Sequence, residues 1–275
     1  MTNYSNPWRE KETRAKQAAE LVAMAKAKYA LAIESCVANT FLHPERRDIE
    51  RLRVSFYRRH TPSYDMPEIV VVNQDTVSAA FEQKGRVAVL NFASYKNPGG
   101  MFLNGSIAQE EALCHASNGI LFEVLSSDKV FNAFYEQNRK MLNRALYHDN
   151  LLYTYDVPFF RGAEMRKCDV ITCAAPNKGA AQKYQSVPES ECNRAMRMRI
   201  RSLLLAVIDE HLSFDEGDGL DCVVLGAFGC GVFKNDPAAV AKMFREELIG
   251  FPIKVVFAVP GEKYDIFVDK LKFVC

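Results

Sequence analysis

Eight cysteines without a single CxxC pair, and five histidines without an HxH or HExxH spacing, leave the chain with none of the ligand patterns of a zinc site. The cysteines stand at 36, 114, 168, 173, 192, 222, 230 and 275, scattered through 275 residues. No apolar run approaches the length of a membrane span, and the first residues, MTNYSNPWREKETRAK, are polar where a secretory leader is apolar. Charge of either sign is not in excess: 35 Lys and Arg against 34 Asp and Glu give a formal +1, so no global field draws nucleic acid or an acidic membrane. Any anion must be met by a local site. The GxxxxGK[ST] phosphate loop is absent, and GCGVFK lacks the third glycine of GxGxxG. No internal repeat or low-complexity tract appears. These absences predict a reduced, cytoplasmic protein without metal, cofactor, membrane contact or direct nucleic-acid binding.

What is present is a globular composition, 48% hydrophobic and 25% charged, with ample material for a core. The run from Ser5 or Asn6 as cap, through Pro7 in the first turn, to about residue 39 predicts one long N-terminal helix. Residues 40–67 are basic and irregular, with prolines at 44, 62 and 67, and read as a connector carrying at most a short helix. From 68 onward, short Val-rich strands alternate with helices. EIVVVN, RVAVLNFA, NLLYTYDV, DVITCAA, DCVVLGA and IKVVFAV read as strands. Helices are predicted over 76–84 (capped by Asp75, closed by Gly85), 107–125, 129–146, 188–212 and from Pro237, capped by Asp236. That alternation predicts an α/β sandwich with its sheet buried on both faces.

Ligands in such sheets sit beyond the carboxyl ends of the strands, and two strand exits carry glycine clusters. One is Asn97-Pro98-Gly99-Gly100; the other is GAFGCGVFKNDP, with Gly226, Gly229 and Gly231. Glycines let backbone amides turn toward an anion, although a tight turn needs them equally. Between the two lies Gln109-Glu110-Glu111. Ser106 followed by Gln109 fits a capping box, and acidic residues favour a helix N-terminus on electrostatic grounds alone. Successive helical residues diverge by about 100°, so the two carboxylates should not face one point, and at most one should be the principal proton carrier. On residue types, a structural triplet and an acid/base site both stand.

The segments VLNFASYKNPGG, AQEEAL, YDVPFFRG, VITCAAPN and GAFGCGVFKNDPAAVA resemble, in order and spacing over about residues 68–260, the bacterial-type poly(ADP-ribose) glycohydrolases of the macrodomain superfamily. The resemblance implies a macrodomain-like three-layer α/β/α sandwich with a mixed central sheet, residues 1–67 forming a helical extension and 68–275 the catalytic domain. It implies cleavage of ribose–ribose O-glycosidic bonds in poly(ADP-ribose) or on ADP-ribosylated proteins, with ADP-ribose released mainly from chain ends. Glu111 matches the acid/base, Glu110 the residue that holds the terminal ribose, and Gln109 a supporting amide. Gly226, Ala227, Phe228, Gly229, Cys230, Gly231, Val232 and Phe233 match the loop that cradles the diphosphate, Phe233 being the aromatic beside the reactive ribose. One position departs: the family's glycine triplet reads Gly99-Gly100-Met101.

Ser94 and Asn97 are candidates for ribose hydroxyls, or ordinary turn formers. Asn177 is a ligand contact or a cap, and His115 shares a helix face with Glu111. Cys230 has no histidine near it in sequence and reads as a small loop residue. The basic stretch RRDIERLRVSFYRRH and the helix before it are material for a cover over the terminal ribose, or a solvated face. The alternative function is a macrodomain that reads ADP-ribose without cutting it. The intact Gln-Glu-Glu favours the enzyme.

Overall fold

The computed structural model describes residues 7–43, 66–214 and 218–272. The proposed helix caps Ser5 and Asn6, and the basic stretch at 46–60, lie outside these residues. Seven strands form one sheet in the order β1-β4-β5-β3-β6-β7-β2. They are β1 (Thr40–His43), β2 (Ile69–Val72), β3 (Val87–Phe92), β4 (Leu151–Arg161), β5 (Glu164–Cys173), β6 (Cys222–Gly226) and β7 (Lys254–Ala258). The five from β5 to β2 pair in parallel. β4 and β1 add antiparallel, so the sheet is mixed, as expected.

Period-two alternation sends successive side chains to opposite faces, and the parallel strands are largely apolar because both faces are covered, interrupted by the buried Asn91, Asp169 and Thr172. Ala88, Leu90, Val223, Leu225, Val255 and Phe257 point to one core, which the helices α7 (Glu189–Leu212), α8 (Pro237–Glu247) and α9 (Tyr264–Leu271) close. Val87, Val89, Val224 and Val256 point to the other. That second core is closed by α1 (Pro7–Lys28), α2 (Ala30–Ala38), α3 (Thr76–Phe81), α4 (Gln109–Ala116) and α5 (Ile120–Ser126). A further helix, α6 (Lys178–Gln185), follows β5.

Several expectations need correction. The long N-terminal helix is two helices, broken at Tyr29. The connector begins with a strand: β1 joins the sheet edge against β4, so the sheet draws on the segment assigned to the extension. β4 runs on through Pro158 to Arg161 and turns at Gly162 into β5, a hairpin that proline and charge in the sequence conceal. The helix expected over 107–125 is α4 and α5, parted by Asn118 and Gly119 at positive φ. Over 129–146, helix gives way to a π-turn at Phe131–Tyr135, resumes at Glu136–Lys140 and stops there. The caps Asp75 and Asp236 stand where the sequence puts them, accepting from Ser78 N at 2.9 Å and Ala239 N at 2.7 Å.

α1 is a support for the loops above it. Arg14 Nε donates to Gly105 O at 2.9 Å, and a Cβ on Gly105, whose φ is +71°, would stand 2.2 Å from Lys11 O. A Cβ on Gly119, whose φ is +82°, would stand 3.0 Å from Leu21 O. Among the described residues, none from 7–43 lines the cleft described next.

Candidate active site

The carboxyl ends of β3, β5, β6 and β7 open into one cleft of about 730 Å³. Its walls are Phe92–Ser94 after β3, Ala175 after β5, Ala227–Gly229 and Gly231–Phe233 after β6, Ala258–Pro260 after β7, and the first turns of α3 and α4. The strand-exit rule therefore locates the site.

Glu110 and Glu111 are 3% and 4% exposed, at the opening of α4. Glu110 Oε2 accepts from Ser94 N at 2.7 Å, and Oε1 receives a longer bond, 3.3 Å, from Asn91 Nδ2. Glu111 Oε1 accepts from Met101 N at 2.8 Å, while its Oε2 is buried without a partner among the described residues. Gly100 lies over both: a Cβ there would stand 2.6 Å from Glu111 Oε1 and 3.0 Å from Glu110 Oε2, and its φ is +63°. The expectation that the two carboxylates diverge is thus corrected. Two three-carbon arms at the first turn of a helix reach back to the same loop despite their angular separation. Burial pushes the Glu110 carboxyl up to about 8, the charge of Glu111 adding to it and the hydrogen bonds from Ser94 N and Asn91 opposing it.

The capping box is also corrected. The cap position is Ala108, and Gln109 turns away from Ser106. Its Oε1 accepts from Phe92 N at 2.8 Å and its Nε2 donates to Leu90 O at 2.8 Å and Thr76 Oγ1 at 3.1 Å. Gln109 extends the pairing of β3 by one residue and fixes α4 to the strand that carries Asn91 and Ser94.

On the second loop, Gly229 has φ +71° and packs so closely that a Cβ would stand 2.6 Å from Ala175 Cβ. Gly226 passes beneath Phe92, whose ring lies 5.7 Å from that of Phe228. Among the described residues, the main-chain N–H groups of Gly231, Val232 and Phe233 have no hydrogen-bond partner, and all three residues line the cleft. They form a nest of amides suited to an anion without lysine or metal. Asn235 pins the loop by donating to Pro176 O at 2.8 Å and Gly229 O at 3.0 Å. Phe233 flanks the cleft edge-on to Tyr147 at 6.1 Å, and Tyr147 in turn stacks on Tyr95 at 4.1 Å.

Of the residues singled out from sequence, Ser94, Gly100, Gln109, Glu110, Glu111, Ala227, Phe228, Gly229, Gly231, Val232 and Phe233 line the cleft. Asn97, Gly99, Gly226 and Cys230 do not line it. Asn97 is exposed, its Oδ1 3.4 Å from Arg139 Nη2. Burial pushes the Cys230 thiol up to about 12, the state of an inert loop residue. Asn177 is a cap, accepting from Ala180 N at 3.0 Å. His115 lies edge-on to Phe102 at 4.7 Å, and burial holds it below its usual value. Asn91 and Asn235 were missed. A lone Asn in the apolar run VAVLNFA was the available signal, because a buried amide requires partners.

The model of the microbial-type PARG catalytic domain matches residues 10–162. The chain belongs to the microbial-type poly(ADP-ribose) glycohydrolase (PARG) family. Among solved structures, the Deinococcus radiodurans enzyme in complex with ADP-ribose is 33% identical with a TM-score of 0.74, covering 88% of this chain and 98% of that one. The Thermomonospora curvata enzyme bound to the inhibitor ADP-HPD is 30% identical with a TM-score of 0.76, covering 94% and 99%. A comparison with curated proteins finds no match. The PARG match begins inside α1, so the family's own unit includes the N-terminal helices. Family and fold are those the resemblance implied.

Proposed function

We propose that this PARG cleaves the ribose–ribose O-glycosidic bonds of poly(ADP-ribose), with Glu111 as general acid and then general base. The observation that carries this reading is Glu111 itself: Oε1 is clamped by Met101 N, and Oε2 is buried, unpartnered and at the cleft. A clamped carboxyl whose second oxygen has no partner is suited to passing a proton to a departing hydroxyl as an oxocarbenium-like ribose forms, then taking one from the incoming water. Glu110, with hydrogen bonds to both oxygens, holds the terminal ribose. The amides of Gly231, Val232 and Phe233 receive the diphosphate, and Phe233 packs beside the sugar. Neither step calls on a metal.

Release mainly from chain ends, ADP-ribosylated proteins as further substrates, and a cytoplasmic location belong to the same proposal. The last is supported by seven described cysteines that are all unpaired and buried. Among the described residues no helix is long and apolar enough to cross a membrane.

The test is incubation with long poly(ADP-ribose), reading products by chain length. Early monomeric ADP-ribose is the expected result. Tight binding of ADP-ribose with no cleavage would make the protein a reader instead, and early oligomers would show that internal bonds enter.

A further inference from the structure

Tyr147 does not line the cleft, yet its ring touches both of the loops that do the chemistry. It stacks on the ring of Tyr95, with centroids 4.1 Å apart and planes 10° apart, and meets the ring of Phe233 edge-on at 6.1 Å and 64°. Tyr95 directly follows Ser94, whose N–H holds Glu110 Oε2, on the loop after β3. Phe233 closes the amide nest on the loop after β6. Tyr147 belongs to neither loop: it stands between the helix Glu136–Lys140 and β4. One ring thus spans from the carboxylate side of the site to the anion side.

The backbone that carries this ring is strained. Asn143, Arg144, Ala145 and Tyr147 have φ of 42°, 50°, 64° and 64°, in the left-handed region that residues other than glycine enter at a cost. Such a conformation persists where its surroundings over-determine it, and here they do. Asn143 Nδ2 donates to Tyr147 O at 3.1 Å, and Asn177 N donates to Ala145 O at 2.9 Å. The fully buried Arg199 donates from Nη2 to Leu146 O at 3.3 Å while its Nε donates to Asp149 Oδ1 at 3.0 Å. Tyr95 is fixed as well: it is buried, its hydroxyl donates to Met141 O at 2.9 Å, and its carbonyl accepts from Asn138 Nδ2 at 3.1 Å. Phe233 is only half-buried. The Tyr95–Tyr147 stack is therefore the fixed side of the contact, and the Phe233 ring is the side it supports.

We propose that Tyr147 is a positioning residue: wedged between Tyr95 and Phe233, it sets the gap between the carboxylate loop and the Phe233 ring, and so the surface against which the reacting ribose is held toward Glu111. This rests on the reading that Phe233 packs beside that sugar. Both contacts are ring to ring, so the role needs the flat ring of Tyr147 and not its hydroxyl.

Tyr147→Leu removes the flat ring, and Tyr147→Phe keeps it. The experiment measures binding of ADP-ribose, and of ADP, which lacks the terminal ribose, by calorimetry, together with kcat and KM on poly(ADP-ribose). For Tyr147→Leu, ADP-ribose should lose about fivefold more affinity than ADP, the scale of one lost aromatic pair. Its kcat should fall about tenfold, because a displaced ring leaves the sugar out of line with the acid. Tyr147→Phe should restore both. A merely structural role lowers the melting temperature and leaves kcat and the ratio of the two affinities at wild-type values, and that result overturns the proposal. The double variant Tyr147→Leu with Phe233→Leu should be no worse than Phe233→Leu alone, whereas additive losses would show that Tyr147 does not act through Phe233 and would overturn it too. If the wild-type protein binds ADP-ribose and cleaves nothing, the proposed hydrolase activity fails while the affinity ratio still decides the role of Tyr147. Should Tyr147→Leu fail to fold, Tyr147→Met, a flexible chain that fills the same gap without a flat face, takes its place under the same outcomes.

Discussion

Glu111→Gln keeps the size and the Met101 contact of the side chain but removes the transferable proton. Turnover should fall by about 10²-fold or more while calorimetry still registers ADP-ribose binding. Hydrolysis near the wild-type rate would remove Glu111 from the acid/base role. Glu110→Gln should lose more in binding, and it carries a stability signature of its own. The Glu110 carboxyl is raised from 4.5 to about 8 in the folded chain. The folded state therefore holds a proton that the unfolded chain has released, and stability contributed below pH 4.5 is lost as pH climbs through about 8. Between pH 4.5 and about 8 the melting temperature of the wild-type protein should fall more steeply than that of Glu110→Gln, which has no carboxyl to ionise there. Parallel curves would show that the carboxyl is not held protonated. Gly231 provides a separate test of the anion site, since no atom lies within 4 Å of a Cβ built on it and its φ is not positive. Gly231→Val should fold normally and weaken ADP-ribose binding by about tenfold or more through obstruction of the amide nest. Gly229→Val is the poorer test, because strain and the Ala175 contact would unfold the loop as well.

At the scale of elements, the catalytic loop is held from beneath by α1 and from the side by α4. Gly105 meets Lys11 O so closely that Gly105→Ala must push α1 off the loop, at a cost of roughly 1–3 kcal/mol of stability. The loss should appear in denaturant melts, with kcat affected less than by Glu111→Gln. An unchanged midpoint would mean that α1 does not bear on the loop. The parallel strands follow the same logic of support: β3 delivers Asn91, Ser94 and the backbone that Gln109 binds, and β6 delivers the anion loop, so the two halves of the site share one rigid sheet.

For the whole molecule, the cleft receives nothing from the described N-terminal residues, yet Ala18 and Ala25 are fully buried in the core beneath it. Removing residues 1–28 should therefore lower stability or abolish folding, and any folded remainder should yield the same product lengths as the intact chain. Altered product lengths would restore those helices to a covering role. EDTA should leave hydrolysis unchanged, since the described residues offer no cluster of three or more His, Cys, Asp and Glu suited to a metal. Activity lost on chelation and restored by a divalent ion would require a different mechanism.

The apolar runs of β2, β3, β6 and β7 were legible because strands covered on both faces favour Val, Leu and Ile, and the caps Asp75 and Asp236 because their oxygens act within three residues. The two glycine loops and Gln-Glu-Glu were legible as motifs for the same local reason: their spacing is written along the chain. Tertiary structure alone decided the rest. Whether Glu110 and Glu111 diverge depends on where a loop ten residues upstream returns, and Gly100 brings it over both. The role of Gln109 was settled by β3, and that of Asn177 by its own helix rather than by a ligand. β1 is four residues of mixed polarity that become a strand only because β4 presents an edge to pair with. Hydrophobic periodicity and capping are properties of neighbours in sequence, whereas the proton affinity of a buried carboxyl is set by neighbours in space, which the sequence does not specify until it has folded.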